Sequence, residues 1–212
     1  MQGAIYCGVP AANTAFKIAD GSCCAEGRQL PAPQSLAAPM RASRRTTPSA
    51  RRSCMSRSQG KGPPVVLSHA LGLDLHMWDA LAARLATSST VLRYDHRGHG
   101  GSAVPPGRTR STSWSTTRRA LIREWGRGPV AWIGLSMGGM VGQGLAIRHP
   151  ELLRGAVLAN TTARYPEAAA ATWAARIAAV EQGGMAAVAD AVVERYLHAD
   201  YRAAHPSRGR VR

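Results

Sequence analysis

The sequence predicts an α/β protein with a doubly wound, mainly parallel sheet. From Gly62 onward, short and continuously apolar runs alternate with stretches of helical periodicity. This order places helices on both faces of a parallel sheet. The chain has 212 residues, of which 45% are hydrophobic, and this is enough for one domain with a sizeable core.

The predicted elements follow one another in a regular order. Trp78, Leu81 and Leu85 recur at three- and four-residue spacing, which indicates an amphipathic helix, and Pro150 ends the helix that follows the third strand. Continuously apolar runs are typical of strands that are buried on both faces. The four predicted core strands are "PPVVLSH", "TVLRYD", "PVAWIGL" and "LLRGAVLAN". Two Ala-rich helical stretches follow, around residues 167–181 and 185–197.

One crossover breaks the alternation. Between the second and third strands, "GRTRSTSWSTTRRALIREW" has helical character only from Ala120 to Trp125, because Ser and Thr compete against helix in the earlier part. One hypothesis is a shifted reading frame: a permitted set of codons for Thr109 to Ala120, read from the third base, gives TLDELVDDAAR, an amphipathic helix with an acidic first turn. The alternative is a flexible basic loop.

The charge distribution argues against a nucleic-acid function. The formal net charge is +15, and 14 of these charges fall in residues 1–60, 108–120 and 202–212, which carry no fold signal. A nucleic-acid surface more often places its basic residues on folded elements, with aromatic residues interleaved for stacking. We therefore predict no nucleic-acid partner.

Apolar run lengths and cysteine spacing predict the compartment and the absence of membrane and metal partners. No run approaches the roughly 18 apolar residues of a membrane span, and the N-terminus lacks a secretion signal, so we expect a cytoplasmic protein with no membrane partner. The cysteines Cys7, Cys23, Cys24 and Cys54 show no zinc-ligand spacing. We interpret them as unpaired thiols and expect no metal site.

The stretch "GLSMGGM" carries the strongest catalytic signal. Gly134, Ser136 and Gly138 form a G-x-S-x-G pattern between a predicted strand and a predicted helix. This context is that of a nucleophile elbow, in which the serine projects above the sheet next to a helix N-terminus. Ser136 is therefore the candidate nucleophile.

A loop after the first core strand supports this interpretation. In "SHALGLDLHMWD" the backbone N–H of Leu71 is the predicted first donor of an oxyanion hole, and that of Met137 is the second. We expect His69 to be structural, hydrogen-bonding the loop. Asp95 and Arg97 are expected to fix a turn, and two tryptophans, Trp78 and Trp132, are expected to be core residues.

These motifs resemble the α/β-hydrolase family, and within it the 3-oxoadipate enol-lactonases. The resemblance covers residues 62–107 and 120–200, including "VLRYDHRGHGGSAVPPG" and "IGLSMGGMVGQGLAIRHPELLRGAVLANTTARYP". It implies an incomplete α/β-hydrolase fold, without the N-terminal hairpin and the C-terminal strands, and the start of a helical cap.

The resemblance also implies a reaction. It is the hydrolysis of the enol-lactone of 3-oxoadipate, a small anionic substrate of the β-ketoadipate pathway, without metal or organic cofactor. Ser136 would be the nucleophile, and Leu71 and Met137 would give the oxyanion amides. Arg164 matches a basic position that faces the substrate carboxylate, where a charge-assisted pair would form.

The catalytic partners of Ser136 are missing from the pattern. The family order is nucleophile, acid, then histidine, on loops after later strands. Asp190, His198, Asp200 and His205 are the only Asp and His residues in the late part of the chain, and no strand pattern precedes them. We interpret them as surface residues and expect this chain to be nearly inactive. One alternative is another esterase or a haloperoxidase-like hydrolase, whose missing His and Asp a separate chain would supply. The other is a basic binding protein without catalytic activity.

The expected organisation has four parts. Residues 1–61 are an anomalous, disordered basic segment, residues 62–165 are the α/β core with an anomalous stretch at 108–119, residues 166–200 are a partial helical cap, and residues 201–212 are an irregular basic tail.

Overall fold

The computed structural model describes residues 54–104 and 111–206, and the side chains of residues 111–116 lie outside that description. Two compact units follow one another along the chain, Met1–Thr162 and Ala163–Arg212. The first therefore ends three residues before the predicted end of the α/β core.

The first unit is built on a five-stranded sheet in the order β1-β3-β2-β4-β5. All neighbouring strands run parallel except β1 and β3, which are antiparallel. The predicted doubly wound, mainly parallel α/β class is confirmed. Because the chain moves from β2 to β3 on one side and to β4 and β5 on the other, the strand order reverses between β2 and β4. Ligands of open α/β sheets bind at such switch points, outside the carboxyl ends of the strands. The strands are β1 (Ser56–Gln59), β2 (Pro64–Ser68), β3 (Thr90–Tyr94), β4 (Val130–Leu135) and β5 (Leu153–Ala159).

In the part of the chain that the structure describes, six α-helices connect or follow these strands. Three belong to the first unit and three to the second, and short 3-10 turns at Leu75–Trp78 and Pro150–Leu152 precede α1 and β5. The helices are α1 (Asp79–Leu85), α2 (Ser111–Trp125), α3 (Met137–Arg148), α4 (Ala169–Gly183), α5 (Ala186–Tyr196) and α6 (Ala199–Ala204).

Strand β1 lies inside the segment for which the sequence predicts no element. Its sequence, SRSQ, has no apolar alternation, and its burial pattern is half-exposed to exposed. Backbone pairing with β3 therefore defines this strand rather than burial of side chains. Hydrophobic periodicity detects a strand only when one of its faces is buried. The expected disorder up to residue 61 is therefore wrong for residues 56–59.

Helix α2 begins at Ser111, so the expectation of helix only from Ala120 to Trp125 is wrong. Leu121, Ile122 and Trp125 are buried in the core. Once this apolar part is anchored, extending a helix costs much less than nucleating one, so the weak propensity of the Ser/Thr-rich first part does not prevent it. The reading-frame hypothesis stays a prediction for the gene sequence.

Apolar residues pack on both sides of the sheet, but more of them are buried on one side than on the other. Between the sheet and helices α2 and α3, fifteen buried residues form one cluster, with Trp132 among its largest members. On the opposite side, the apolar cluster has four buried residues, Val65, Leu67, Ala82 and Val91, and six further apolar residues, including Trp78, pack against them partly exposed. Both tryptophans thus pack in the core, as predicted, and one side of the sheet is less completely covered than the other.

The second unit contains helices α4, α5 and α6, close to the predicted helical stretches. None of these helices has a fully buried residue. Tyr165 packs edge-on against Trp173, with ring centroids 5.5 Å apart. Within the described ranges, no helix has the length and apolar character needed to cross a membrane.

Candidate active site

Ser136 occupies a sharp turn between the end of β4 and the start of α3. Its backbone has φ 51° and ψ −111°, a positive φ that non-glycine residues rarely adopt. The surrounding structure holds this conformation: the N–H of Ser136 donates to the carbonyl of Ala159 at 2.9 Å, and the carbonyl of Ser136 accepts from Met140 N at 3.0 Å and from Thr161 Oγ1 at 2.8 Å. Strain of this kind, fixed by several neighbours, is found mainly at functional sites.

The two flanking glycines are required by close backbone contacts. A Cβ on Gly134 would overlap the backbone of Gly138, and a Cβ on Gly138 would overlap the carbonyl of Ser68 at the end of β2. The carbonyl of Gly138 also accepts a hydrogen bond from Trp132 Nε1 at 3.1 Å, which ties the first turn of α3 to the core. Only glycine permits this approach of helix, turn and neighbouring strand.

The two predicted oxyanion donors lie at the carboxyl ends of neighbouring strands. Met137 is buried in the first turn of α3, directly after Ser136. Leu71 lies in the turn after β2 and is 38% exposed. The last residue of β2, Ser68, pairs with Gly134 in the sheet, so the β2 loop starts beside the turn of Ser136. This arrangement coincides with the switch point of the sheet.

His69 is a structural residue, as predicted. It is fully buried, its Nδ1 donates to the carbonyl of Ala70 at 2.8 Å, and its Nε2 accepts from the backbone N–H of His96 at 2.8 Å. These two partners define a neutral ring, with the proton on Nδ1. Burial, with a smaller contribution from nearby His99, lowers the pKa of His69 to about 4.

Asp95 fixes the turn after β3, also as predicted. Its carboxylate is buried and accepts from the N–H of Leu75 at 2.7 Å and from the N–H of Gly101 at 2.8 Å. It therefore joins the loop after β2 to the glycine-rich turn in which Arg97 lies.

A buried polar cluster lies at the carboxyl ends of β2 and β3, and sequence reasoning missed it. Ser68 Oγ lies 2.6 Å from Tyr94 Oη and 3.1 Å from His96 Nε2. The guanidinium of Arg118, from α2, stacks 4.4 Å from the Tyr94 ring centroid and donates to Cys54 Sγ at 3.3 Å. Burial lowers the pKa of His96 and raises that of Tyr94. The alternation of Tyr94 and His96 at the end of β3 was the sequence feature that could have predicted this cluster.

No histidine of the first unit forms a hydrogen bond with Ser136 in the described part of the chain. His69 and His96 bond to the β2 and β3 loops, and the others bond elsewhere. In the second unit, His198 lies 3.4 Å from Asp200, and His205 stacks on Tyr201. The four late Asp and His residues are exposed, as predicted: Asp190, His198, Asp200 and His205.

The remaining site predictions concern Arg164, cysteines and metals. Arg164 is exposed and belongs to the second unit. Cys54 is a free, buried thiol, whereas Cys7, Cys23 and Cys24 lie outside the described residues. Across residues 54–104 and 111–206, no group of three or more potential metal-ligating side chains comes together.

A strained serine between a parallel strand and a helix, at the switch point of a doubly wound sheet, is the arrangement of α/β enzymes with a serine nucleophile. Comparison with known proteins shows the fold: residues 63–210 match the model of the α/β-hydrolase fold. The chain belongs to the α/β-hydrolase family, a family of hydrolases.

Individual relatives include enol-lactonases. The chain is 36% identical over 138 residues to 3-oxoadipate enol-lactonase 2 of Acinetobacter baylyi, which covers 65% of this chain and 51% of that enzyme. The crystal structure of the enol-lactonase from Burkholderia xenovorans LB400 is also 36% identical, with a TM-score of 0.69, over 74% of this chain and 61% of that one.

Other relatives differ in chemistry. A thermophilic esterase from Thermogutta terrifontis, solved with malate bound, is 29% identical, with a TM-score of 0.67, over 73% of this chain and 57% of that one. A fluoroacetate dehalogenase of a Burkholderia species is 35% identical over 97 residues, which cover 43% of this chain and 32% of that enzyme. The chain thus spans between about a third and three fifths of the length of these relatives.

Proposed function

We propose that Ser136 is the nucleophile of a carboxylic-ester or lactone hydrolase, and that the substrate is the enol-lactone of 3-oxoadipate in the β-ketoadipate pathway. The observation that carries the proposal is the positive φ of 51° at Ser136, held by three hydrogen bonds from neighbouring elements. The similarity to two enol-lactonases supports the choice of substrate.

The chemistry follows from this geometry. Ser136 Oγ attacks the lactone carbonyl carbon, and the negative charge that develops on the carbonyl oxygen is stabilised by the N–H groups of Met137 and Leu71. Each such donor contributes about 3 kcal/mol to transition-state stabilisation. The ring C–O bond then breaks to release the enol oxygen, and water hydrolyses the acyl-enzyme to the carboxylic acid. No metal or organic cofactor has a role in these steps.

Arg164 is the proposed partner of the substrate carboxylate. Its guanidinium would form a charge-assisted, bidentate pair with a free carboxylate of the substrate. The esterase relative was solved with malate, a small dicarboxylate, bound, and this supports an anionic substrate for the proposed site.

The proposed reaction requires a general base for Ser136. The proton of Ser136 needs an acceptor, and no imidazole of the first unit bonds to that hydroxyl within the described residues. We therefore expect the isolated chain to retain only the part of the rate enhancement that oxyanion stabilisation and binding supply.

Covalent labelling tests the nucleophile without requiring turnover. An aryl fluorophosphonate should phosphonylate Ser136: the serine oxygen bonds to phosphorus, and fluoride and the serine proton leave. We expect a single mass increase on the peptide that contains Ser136. It should form slowly, because no described histidine of the first unit bonds to the Ser136 hydroxyl.

Two serine variants test whether the label is attached to Ser136. Ser136→Ala should lose the label, whereas Ser88→Ala, which changes an exposed serine of the first unit, should keep it. Labelling that survives Ser136→Ala would disprove the proposed role. Ester hydrolysis by the isolated chain at several turnovers per second would disprove the expected absence of a base.

A second candidate is an esterase acting on another small carboxylic ester. The esterase relative favours it, because its TM-score of 0.67 approaches the 0.69 of the enol-lactonase structure. A substrate panel that compares the enol-lactone with mono-esters of dicarboxylic acids separates the two candidates by kcat/KM.

A further inference from the structure

The loop after β5 contacts both main-chain polar groups of Ser136. The carbonyl of Ala159, the last residue of β5, accepts from the N–H of Ser136 at 2.9 Å. Two residues later along the chain, Thr161 Oγ1 donates to the carbonyl of Ser136 at 2.8 Å. One loop therefore holds the nucleophile's backbone at its N–H and at its C=O.

The bond from Thr161 acts on the peptide unit that joins Ser136 to Met137. A trans peptide unit is planar, so its C=O and its N–H point in opposite directions. Whatever fixes the direction of the Ser136 carbonyl therefore also fixes the direction of the Met137 N–H, which is the proposed oxyanion donor. The same carbonyl accepts from the N–H of Met140 at 3.0 Å, within the first turn of α3. Two donors from two different elements thus hold this peptide plane.

The Thr161 hydroxyl also affects the strength of the oxyanion donor. Hydrogen bonds arranged in a chain polarise one another, and each strengthens the next by roughly 10–30%. Such a chain would run from the Thr161 hydroxyl to the Ser136 carbonyl, and from the Met137 N–H to the substrate oxyanion. Removal of the hydroxyl would therefore weaken the donor through both its direction and its polarisation.

The packing around Thr161 keeps its hydroxyl in place. A Cβ on Gly139, in the first turn of α3, would lie 2.7 Å from Thr161 Cβ, so the helix backbone lies close to this side chain. A β-branched side chain such as that of Thr161 also has few χ1 conformations available. Asn160, directly before it, has a φ of 42°, which few residues other than glycine and asparagine adopt readily. With this backbone conformation, Thr161 lies against the start of α3.

We propose that Thr161 is a positioning residue for the oxyanion hole. Its hydroxyl orients and polarises the peptide between Ser136 and Met137, so that the N–H of Met137 meets the negative charge that develops on the substrate. The inference rests on the proposed function, because it takes Ser136 as the nucleophile. Thr161 acts in this role through the backbone of Ser136 and not through a contact with the substrate.

The test measures how fast an aryl fluorophosphonate labels Ser136 in the full 212-residue chain. The phosphoryl oxygen of the reagent gains negative charge as the serine oxygen bonds to phosphorus, so the labelling rate reports on the oxyanion donors without requiring turnover. Thr161→Val keeps the shape of the side chain and removes the hydroxyl, and we expect the second-order rate constant to fall by about tenfold or more. Thr161→Ser keeps the hydroxyl on a less restricted side chain and should label within about twofold of the unmodified chain.

Thr87→Val is the matched control. Thr87 is exposed and lies just after α1, and its Oγ1 donates to the carbonyl of Arg84 at 2.8 Å, a bond of the same type and length. A role in stability alone would lower the free energy of unfolding in both valine variants and leave both labelling rates unchanged. Thr161→Ala removes the hydroxyl without adding an atom, and it replaces Thr161→Val if that variant fails to fold.

The amide of Met137 gives a second measurement that requires no reaction. A hydrogen bond to the Ser136 carbonyl draws electron density from the nitrogen of the same peptide unit. The ¹⁵N resonance of Met137 should therefore move upfield in Thr161→Val and stay in place in Thr87→Val. Selective ¹⁵N-methionine labelling simplifies the spectrum, and the signal that disappears in Met137→Leu is the one to follow.

The outcomes separate this inference from the proposed function. Label that survives Ser136→Ala contradicts the proposed function and the positioning role with it. If the label depends on Ser136 but Thr161→Val reacts as fast as the unmodified chain, the positioning role is wrong and the proposed function stands. Equal slowing in Thr87→Val, or slow labelling of Thr161→Ser, would also overturn the positioning role.

Discussion

At the scale of single residues, the glycines beside Ser136 are held by contacts that leave no room for a methyl group. We expect Gly138→Ala to lower the free energy of unfolding by about 1–3 kcal/mol, because the new Cβ would overlap the Ser68 carbonyl and neither backbone can move freely. Denaturant titration measures this. Gly155→Ala is the control, since nothing lies within 4 Å of its added Cβ, and equal effects of the two substitutions would contradict the explanation.

His69 predicts a pH dependence of stability. Its folded pKa of about 4 lies below the ordinary value of 6.5, so between these values the unfolded chain binds more protons than the folded one. The stability is complete above pH 6.5 and falls as the pH decreases towards 4, by about 1.4 kcal/mol per pH unit and about 3 kcal/mol in total. His96 adds to the loss in the same direction.

Unfolding titrations at pH 7.0 and 5.0 measure this loss. His69→Gln should reduce the difference between the two pH values, whereas His198→Gln, at a largely exposed position, should not. A pH dependence that persists unchanged in His69→Gln would show that another group is responsible.

At the scale of elements, α2 contains a buried charge without a described acidic partner. Arg118 is 2% exposed, its Nε has no hydrogen-bond partner, and its described contacts include the Tyr94 side chain and the Cys54 sulfur. A buried guanidinium that no carboxylate compensates costs several kcal/mol of desolvation. We expect Arg118→Met, which keeps the length of the side chain, to raise the free energy of unfolding by about 1–3 kcal/mol.

The neighbouring arginine provides the control. Arg119 is only partly buried, so Arg119→Met should change the stability by less than about 0.5 kcal/mol. A destabilised Arg118→Met would show that stacking on Tyr94 outweighs desolvation.

At the scale of the whole molecule, the two units differ in how much they bury. The first unit contains every fully buried residue of the described ranges, and the helices of the second contain none. Local stability follows apolar burial. We therefore expect the amides of α4 and α5 to exchange at least tenfold faster than those of β2 and β4 in native-state hydrogen exchange. Equal protection of the two units would refute this.

Much of the fold was predictable because parallel strands and their helices leave a strong periodic signal. The four core strands, α1 and α3 follow directly from apolar runs and from the G-x-S-x-G pattern. β1 and the first part of α2 were not predictable, because pairing with β3 and anchoring by Leu121, Ile122 and Trp125 determine them. Local propensity contains no information about such partners.

The candidate site was also predictable only in part. The sequence by itself determined the residue types and their spacing: Ser136 between two glycines, and His69 and Asp95 as residues that fix loops. The oxyanion donors that it predicts, Leu71 and Met137, remain a proposal. The tertiary structure alone decided the strained conformation of Ser136 and the buried cluster around Tyr94. These features depend on residues far apart in the chain, such as Cys54 and Arg118, which only the packed sheet brings together.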